Sequence, residues 1–262
     1  FKIKTALAPE VKLADYKKIA VELKDEIRNK KNGQADIEVT EKEIDDVVKD
    51  VRRNIAHSRL HQEKNLDENN HSHGEIKDAD LPEIDEQFLK EIGELASLAD
   101  LRTKIKENIL REKEMKAKDK KRIEILDEII KESKIEIPQI IIDSEIEKML
   151  AQFKDDITRS GIKYEEYLAH IKKTDLSAEA LAKAEDDLKK DWLAPAEKRA
   201  KSQIILTTVA KEENIAPSEE DIKREMETIL NHDKNLDRFR IRMFVEGFLT
   251  NELVFQFLEN QK

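Results

Sequence analysis

The segment from Ser97 to Ser133 most constrains the fold, because nothing in it interrupts a single helix of roughly ten turns. Its two ends carry apolar residues at spacings of three and four. Its middle, Arg111 to Arg122, is almost wholly charged apart from Met115 and Ala117. A helix that loses its apolar stripe midway is expected to cross between two packed regions through solvent. The sequence therefore predicts an elongated, mainly α-helical protein.

The same spacing of apolar residues continues through most of the chain and predicts further helices. Thr40 and Glu43 form a capping box, in which each side chain satisfies a backbone amide of the other residue. A helix is therefore expected from Thr40 to about Gln62. Gly93 is expected to end a short helix that begins near Leu81. The remaining predicted helices run from Pro138 to Gly161, Tyr164 to Lys172, Ser177 to Trp192, Pro195 to Glu213, Pro217 to Leu230 and Leu236 to Glu259.

Alternation of apolar and polar residues at the start of the chain predicts a small β segment. Two or three short strands bury little apolar surface alone, so they are expected to lean on a helix or on a domain that precedes them. The chain starts at Phe1 rather than Met, inside the first of these strands, and we expect it to be a fragment of a longer protein. The pattern is carried by Phe1, Ile3, Thr5 and Leu7, then by Val11, Leu13, Ile19, Val21 and Leu23.

Composition restricts the classes of function. Charged residues make up 41% of the chain, but the helical spacing of the apolar residues argues against disorder. The net charge of −10 and the mixing of acidic with basic residues argue against DNA binding. The chain has no Cys, which fits the cytoplasm, and no apolar run near the ~18 residues of a membrane span.

No motif in the sequence predicts catalysis. Gly-rich phosphate loops, nucleophile elbows and HExxH motifs are missing. Paired carboxylates such as Asp45-Asp46 do not indicate a catalytic pair, because such pairs are frequent by chance in a chain with 59 acidic residues. We therefore expect a non-enzymatic protein with no catalytic residues and no cofactor.

Five short motifs follow one another along the chain. They are Pro9–Leu13 with Tyr16, Glu38–Ile44, Leu81–Phe88, Ile135–Pro138 with Ile141–Ile146, and Ala196–Lys201 with Ile204–Leu206. In this order they resemble the trigger factor family, the ribosome-associated chaperones of bacteria. The motifs would be, in turn, the last strand of the ribosome-binding domain, the linker helix, the start of the client-binding domain, the turn into its first arm and the long helix of its second arm.

The resemblance implies four segments. Residues 1–36 would be a remnant of the ribosome-binding domain with linker strands, 37–62 the linker helix, 63–80 a flexible loop, and 81–262 the helical client-binding domain with two arms. The family carries an FKBP-type isomerase domain where this chain has only the loop, so prolyl isomerisation is expected to be absent. The family's Gly-Phe-Arg ribosome-docking signature is also missing, so ribosome contact is expected only through residues preceding Phe1.

The resemblance further implies a chaperone that holds unfolded or nascent polypeptides on apolar helical surfaces. Such a holdase needs more apolar surface than one buried stripe accounts for. The C-terminal helix is the richest in apolar residues, but it is apolar on several faces, which favours burial. The candidate client-binding residues are Ile140, Ile141, Met149, Phe153, Ile205, Leu206, Phe244 and Phe248.

Two other functions remain open from the sequence. One is a scaffold or assembly module whose arms hold one specific folded partner, and a homodimer is also open. The other is a metal-responsive protein. His57 and His61 lie four residues apart on one helix, and His71 and His73 follow, a set of imidazoles able to chelate zinc, nickel or copper. An exposed helix surface with a polar loop is the favoured interpretation of this cluster.

Overall fold

The computed structural model describes residues 11–29, 37–64, 81–93, 95–234 and 236–261. Within these residues the protein forms ten α-helices and one sheet of two short strands, which confirms a mainly α-helical fold with a small β segment near the N-terminus. None of the described helices is both long and apolar enough to cross a membrane. The elements are β1 Val11–Lys12, α1 Tyr16–Asn29, α2 Glu41–Lys64, α3 Glu86–Glu91, α4 Leu98–Glu132, β2 Lys134–Ile135, α5 Gln139–Arg159, α6 Tyr164–Lys172, α7 Ala178–Asp191, α8 Leu193–Glu212, α9 Glu219–His232 and α10 Arg238–Glu259.

The predicted start of the chain needs a correction. Strand β1 pairs antiparallel with β2, with Val11 opposite Ile135, but the extended pieces predicted at Ile19, Val21 and Leu23 are helical and belong to α1. Tyr16, which the resemblance placed with a strand, is the first residue of that helix. The β-branched residues suggested strands, whereas Tyr16, Ile19 and Leu23 follow the i, i+3, i+7 spacing of a helix. The predicted strand over residues 1–7 lies outside the described residues.

The chain divides into two compact units, and one of them spans Glu26–Lys121. Its core brings together α2, α3 and the first turns of α4. Arg52 of α2 donates to the carbonyl oxygens of Leu81 and Pro82, at 3.1 and 2.9 Å, and so fastens the segment that leads into α3. The buried residues of this core are Ile44, Val48, Phe88, Leu89, Leu101 and Ile105.

The other unit combines the described residues up to Asp25 with those from Arg122 onward. Its largest core is built by α1, the last turns of α4, α8 and the end of α10. Three smaller cores lie beside it: one between α5, α6 and α7, one between α5 and α8, and one between α9 and α10. The buried residues of the largest core include Tyr16, Ile19, Ile125, Ile129, Ile205, Leu206, Val209, Val254 and Leu258.

Local signals in the sequence place most helix ends, but the short helix expected to begin near Leu81 begins at Glu86, after Asp85, whose carboxylate accepts a hydrogen bond from the Phe88 amide. The Thr40 amide donates to Glu43 at 2.8 Å and the Glu43 amide donates to the Thr40 hydroxyl at 3.3 Å, which confirms the capping box before α2. Gly93 follows α3 with a φ of +127°, a conformation that L side chains rarely adopt. Pro195 lies in the first turn of α8, where backbone amides have no partner within the helix, so its missing N–H costs no hydrogen bond.

Candidate functional site

Helix α10 exposes the largest apolar side chains of the described residues. It begins after Asp237, whose carboxylate accepts a hydrogen bond from the Arg240 amide at 2.9 Å. In its first half, Ile241 and Val245 are buried against α9. In its second half, Val254 and Leu258 are buried in the largest core. The helix therefore packs against two different neighbours along its length.

The buried side of α10 changes between its two halves. In an α-helix, residues spaced by four or seven lie on one face. One face of α10 therefore carries Phe239, Met243, Val254 and Leu258, and this face is buried only in the second half of the helix. Gln203 of α8 and Asn251 pair through their amides at 3.3 and 3.4 Å, where α8 covers that face. N-terminal to Asn251, the face is open.

The exposed residues at this end form what we call the α10 patch, which consists of Leu236, Phe239, Met243, Phe244 and Phe248. Their exposed fractions range from 42% for Leu236 to 70% for Phe239. The rings of Phe244 and Phe248 stack with centroids 6.4 Å apart. A Cβ added to Gly247, within the patch, would meet no atom within 4 Å, so a shallow open space lies between the two rows of side chains.

Two arginines fix α10 from either end. Arg242 donates both terminal guanidinium nitrogens to Glu219, at the start of α9, and hydrogen bonding to this guanidinium lowers the pKa of Glu219. Arg122 of α4 donates to both oxygens of Glu252 at 2.7 Å and to Glu259 at 2.8 Å, and its guanidinium lies 4.8 Å from the centre of the Phe255 ring. These contacts hold the helix that carries the patch in place without entering the patch.

A second apolar surface lies where α5, α6 and α7 meet. An open groove of about 830 Å³ has Ile162, Leu168 and Leu181 among its lining residues. Lys154 pairs with Glu185 at 2.7 Å; although burial opposes the shift, hydrogen bonding to this ammonium lowers the pKa of Glu185. The charges at this rim therefore satisfy each other and leave the apolar surface of the groove free to contact a ligand.

The predicted client-binding residues differ in exposure: some are exposed, some are half-buried and two are buried. Phe244 and Phe248 belong to the α10 patch, and Ile140, at the start of α5, is 43% exposed. Ile141, Met149 and Phe153 are half-buried. Met149 packs against the small core between α5 and α8. Phe153 meets Tyr164, Tyr167 and Trp192 edge to face, with centroids 6.2, 5.8 and 5.4 Å apart.

Ile205 and Leu206 need a correction. Both lie on α8, which carries more apolar residues than one stripe, but both are buried in the largest core, at 0% and 5% exposure. Helix α8 has core on several sides, because α1, α4 and α10 all pack against it. These two residues therefore stabilise the fold and offer no surface to a ligand.

Sequence reasoning missed Phe239 and Leu236 and expected the C-terminal helix to be largely buried. The signal that could have revealed the exposed half is the alternation of charge with apolar residues at its start. Arg238, Arg240 and Arg242 alternate with Phe239 and Ile241. Three guanidinium groups within one and a half turns face several directions and cannot all be buried, so this half of the helix must lie at the surface.

The described residues show no arrangement of side chains that supports the metal hypothesis. No group of three or more His, Asp or Glu side chains suited to a metal ion occurs among the residues described. His57 is half-buried on α2, the side chain of His61 is not described, and His71 and His73 lie outside the described residues. The four-histidine site stays a prediction.

The α10 patch is suited to reversible contact rather than to chemistry. Its five side chains carry no titratable group, and Phe and Met present large, polarisable surfaces that adapt to different partners. The neighbouring Arg238 and Arg240 and the acidic Glu246 keep its rim charged. Such a surface can bind apolar side chains of many shapes but cannot transfer a proton or a group.

Comparison with known proteins gives one consistent family. Residues 97–254 match the family model described as bacterial trigger factor protein (TF) C-terminus. The trigger factor of Trichodesmium erythraeum is 31% identical over 187 residues, which are 71% of this chain and 36% of that protein. The trigger factor of Bacillus subtilis is 34% identical over 153 residues, which are 58% of this chain and 34% of that protein. The chain thus spans about a third of the length of these relatives.

The fold is also similar to that of a solved structure. It is described as "Promiscuous Substrate Recognition in Folding and Assembly Activities of the Trigger Factor Chaperone" and is 20% identical. The match covers 70% of this chain and 44% of the other, with a TM-score of 0.33.

Proposed function

This chain belongs to the trigger factor family, and from that premise we propose that it is a molecular chaperone that holds unfolded or nascent polypeptides on apolar helical surfaces. The observation that carries the proposal is the α10 patch, in which three Phe rings and one Met are between 54% and 70% exposed. Large apolar side chains exposed together mark a binding surface more often than a solvated one. We place this activity in the cytoplasm and in residues 81–262.

The surfaces fit an unfolded client better than one folded partner. An unfolded chain offers scattered apolar side chains, which a patch of flexible and aromatic residues binds with little demand on shape. The groove between α5, α6 and α7 and the exposed Ile140 supply further weak contacts. Several weak contacts on one chain raise the overall affinity while each one still releases quickly.

We propose that the chain has no prolyl-isomerase activity of its own. The sequence between Lys64 and Leu81 is too short to fold a separate domain, because a domain of fewer than roughly 40 residues usually needs disulfides, metals or oligomerisation, and the chain has no Cys. Addition of the protein to a proline-limited refolding reaction is therefore expected to leave the slow isomerisation rate unchanged. An accelerated rate that survives purification to homogeneity and scales with protein concentration would contradict this.

The main test is suppression of aggregation. At near-stoichiometric ratios the protein is expected to reduce light scattering by several unrelated denatured proteins as they are diluted from denaturant. The physical reason is that the patch covers the apolar segments through which unfolded chains associate. The measurement needs at least three clients of different fold, with an equal mass of an unrelated helical protein as the control.

The outcomes separate the proposed function from its alternatives. Failure with every client overturns the holdase proposal. Suppression limited to one client, together with a stable complex between that folded protein and this chain, favours the scaffold. A concentration-dependent mass that doubles, together with loss of binding as the dimer forms, would show that a second copy of the chain covers the patch.

A further inference from the structure

The four methionines of the chain differ sharply in exposure. Met149 and Met226 are half-buried against small cores. Met115, on the charged middle of α4, is 60% exposed, and Met243, in the α10 patch, is 61% exposed. Accessible thioethers are the ones that oxidants reach first. Two methionines are therefore open to oxidation, and only one of them lies on the proposed binding surface.

The neighbourhood of Met243 keeps its sulfur open. Helical side chains lean toward the N-terminus, so the residue one turn later, at i+4, would normally lean over the side chain at i. At that position the chain has Gly247, around which a Cβ would find no atom within 4 Å. Glu246, at i+3, is itself exposed. No side chain from the following turn therefore shields Met243.

We propose that Met243 is a site of reversible oxidation through which peroxides weaken the client contacts of the α10 patch, an inference that rests on the proposed holdase function. A lone pair of the thioether sulfur attacks one oxygen of hydrogen peroxide. The S–O bond forms as the O–O bond breaks, the sulfur is oxidised by two electrons, and the proton of the attacked oxygen leaves with the departing hydroxide as water. A methionine sulfoxide reductase reverses the change, with a dithiol as the two-electron donor: the dithiol becomes a disulfide and the sulfoxide oxygen leaves as water.

Oxidation changes what the patch can bind. The sulfoxide oxygen is a strong hydrogen-bond acceptor, and an apolar client side chain gives it no donor. A client side chain that covers this oxygen removes the water bound to it and supplies no hydrogen bond in exchange, which is unfavourable. Because Met243 lies between Phe239 and Phe244 along the helix, the polar group falls inside the patch rather than at its rim.

The test follows binding of a fluorescently labelled, permanently unfolded polypeptide that contains no Met, after peroxide has been removed by desalting. Peroxide treatment of the protein is expected to oxidise Met115 and Met243 before Met149 and Met226, as peptide mass spectrometry reports. It is expected to raise the Kd for the probe about fivefold or more. Treatment with the two epimer-specific methionine sulfoxide reductases and a dithiol is expected to restore the original affinity.

Matched variants assign the effect to one sulfur. Met243→Leu is expected to keep after peroxide whatever affinity it shows before treatment, whereas Met115→Leu is expected to lose affinity as the unchanged protein does. Met243→Gln, which carries a polar group of similar length, is expected to bind weakly without peroxide. An affinity that peroxide leaves unchanged, or that falls equally in Met243→Leu, overturns this inference alone. An untreated protein that does not bind the probe overturns the proposed function and this inference together.

Discussion

The double substitution Phe244→Gln, Phe248→Gln is expected to raise the Kd for an unfolded polypeptide about tenfold or more while the protein stays folded. The two rings are 66% and 54% exposed and stack on each other, so they contribute little to any core. A Phe side chain that a ligand covers fully contributes roughly 1.5–3 kcal/mol, and partial cover of two rings gives about 1.4–3 kcal/mol in total. Every 1.4 kcal/mol is about a tenfold change in Kd.

The chain offers a matched control for this substitution. Met115 and Ile123 on α4 are 60% and 54% exposed, close to the exposure of the two rings, but they lie outside the patch. The variant Met115→Gln, Ile123→Gln removes as many exposed apolar side chains and puts the same residue in a helix. It is expected to bind the unfolded probe like the unchanged protein.

Fluorescence anisotropy of the labelled probe measures both affinities, and circular dichroism checks that each variant keeps its helix content. Because Gln is a somewhat better helix former than Phe, neither variant is expected to lose helix. Equal loss of affinity in the two variants would mean that exposed apolar surface acts generally and that the α10 patch has no special role. Unchanged affinity in the Phe variant would remove the patch from the function altogether.

The sequence is a good guide to elements whose signals are local. The unbroken helix α4 begins and ends within a residue of its expected limits, and its two apolar ends, at Leu101 and Ile129, each lie in a compact core. The capping box at Thr40 depends on residues three apart, so local sequence is enough to recognise it. Strands were predicted in place of helix α1 because Ile19 and Val21 are β-branched, although the spacing of the apolar residues from Tyr16 onward is helical.

The candidate site was harder to predict, because exposure depends on where neighbouring helices end. Ile205 and Phe248 are both apolar residues on helices with more than one apolar face, and their local sequence does not separate them. Ile205 is buried because α1, α4 and α10 converge on α8. Phe248 is exposed because it lies at the edge of the face of α10 that packs on α9, outside the core formed there, and precedes Asn251, where contact with α8 begins. Both causes are tertiary and leave no periodic signal in the chain.

Ile205→Ala is expected to be the most destabilising of the substitutions at predicted client-binding residues, lowering the free energy of unfolding by about 3–4 kcal/mol. Ile205 is fully buried among residues of three other helices, including Ile129 and Val254, so its removal leaves a cavity in the largest core. Exposed Ile123 on α4 is the matched control, and Ile123→Ala is expected to cost under about 0.5 kcal/mol.

Trp192 provides a direct measurement of this effect, because it is the single Trp of the chain and packs against a core of the same unit as Ile205. Its fluorescence during urea unfolding is expected to show a clearly lower midpoint for Ile205→Ala and only a small decrease for Ile123→Ala. At low temperature, where most Ile205→Ala molecules are still folded, the variant is expected to bind the unfolded probe with normal affinity. An unchanged midpoint with weakened binding would instead place Ile205 on the client surface. A buried residue can affect binding only by destabilising the fold, whereas a surface residue can affect binding while the stability stays the same.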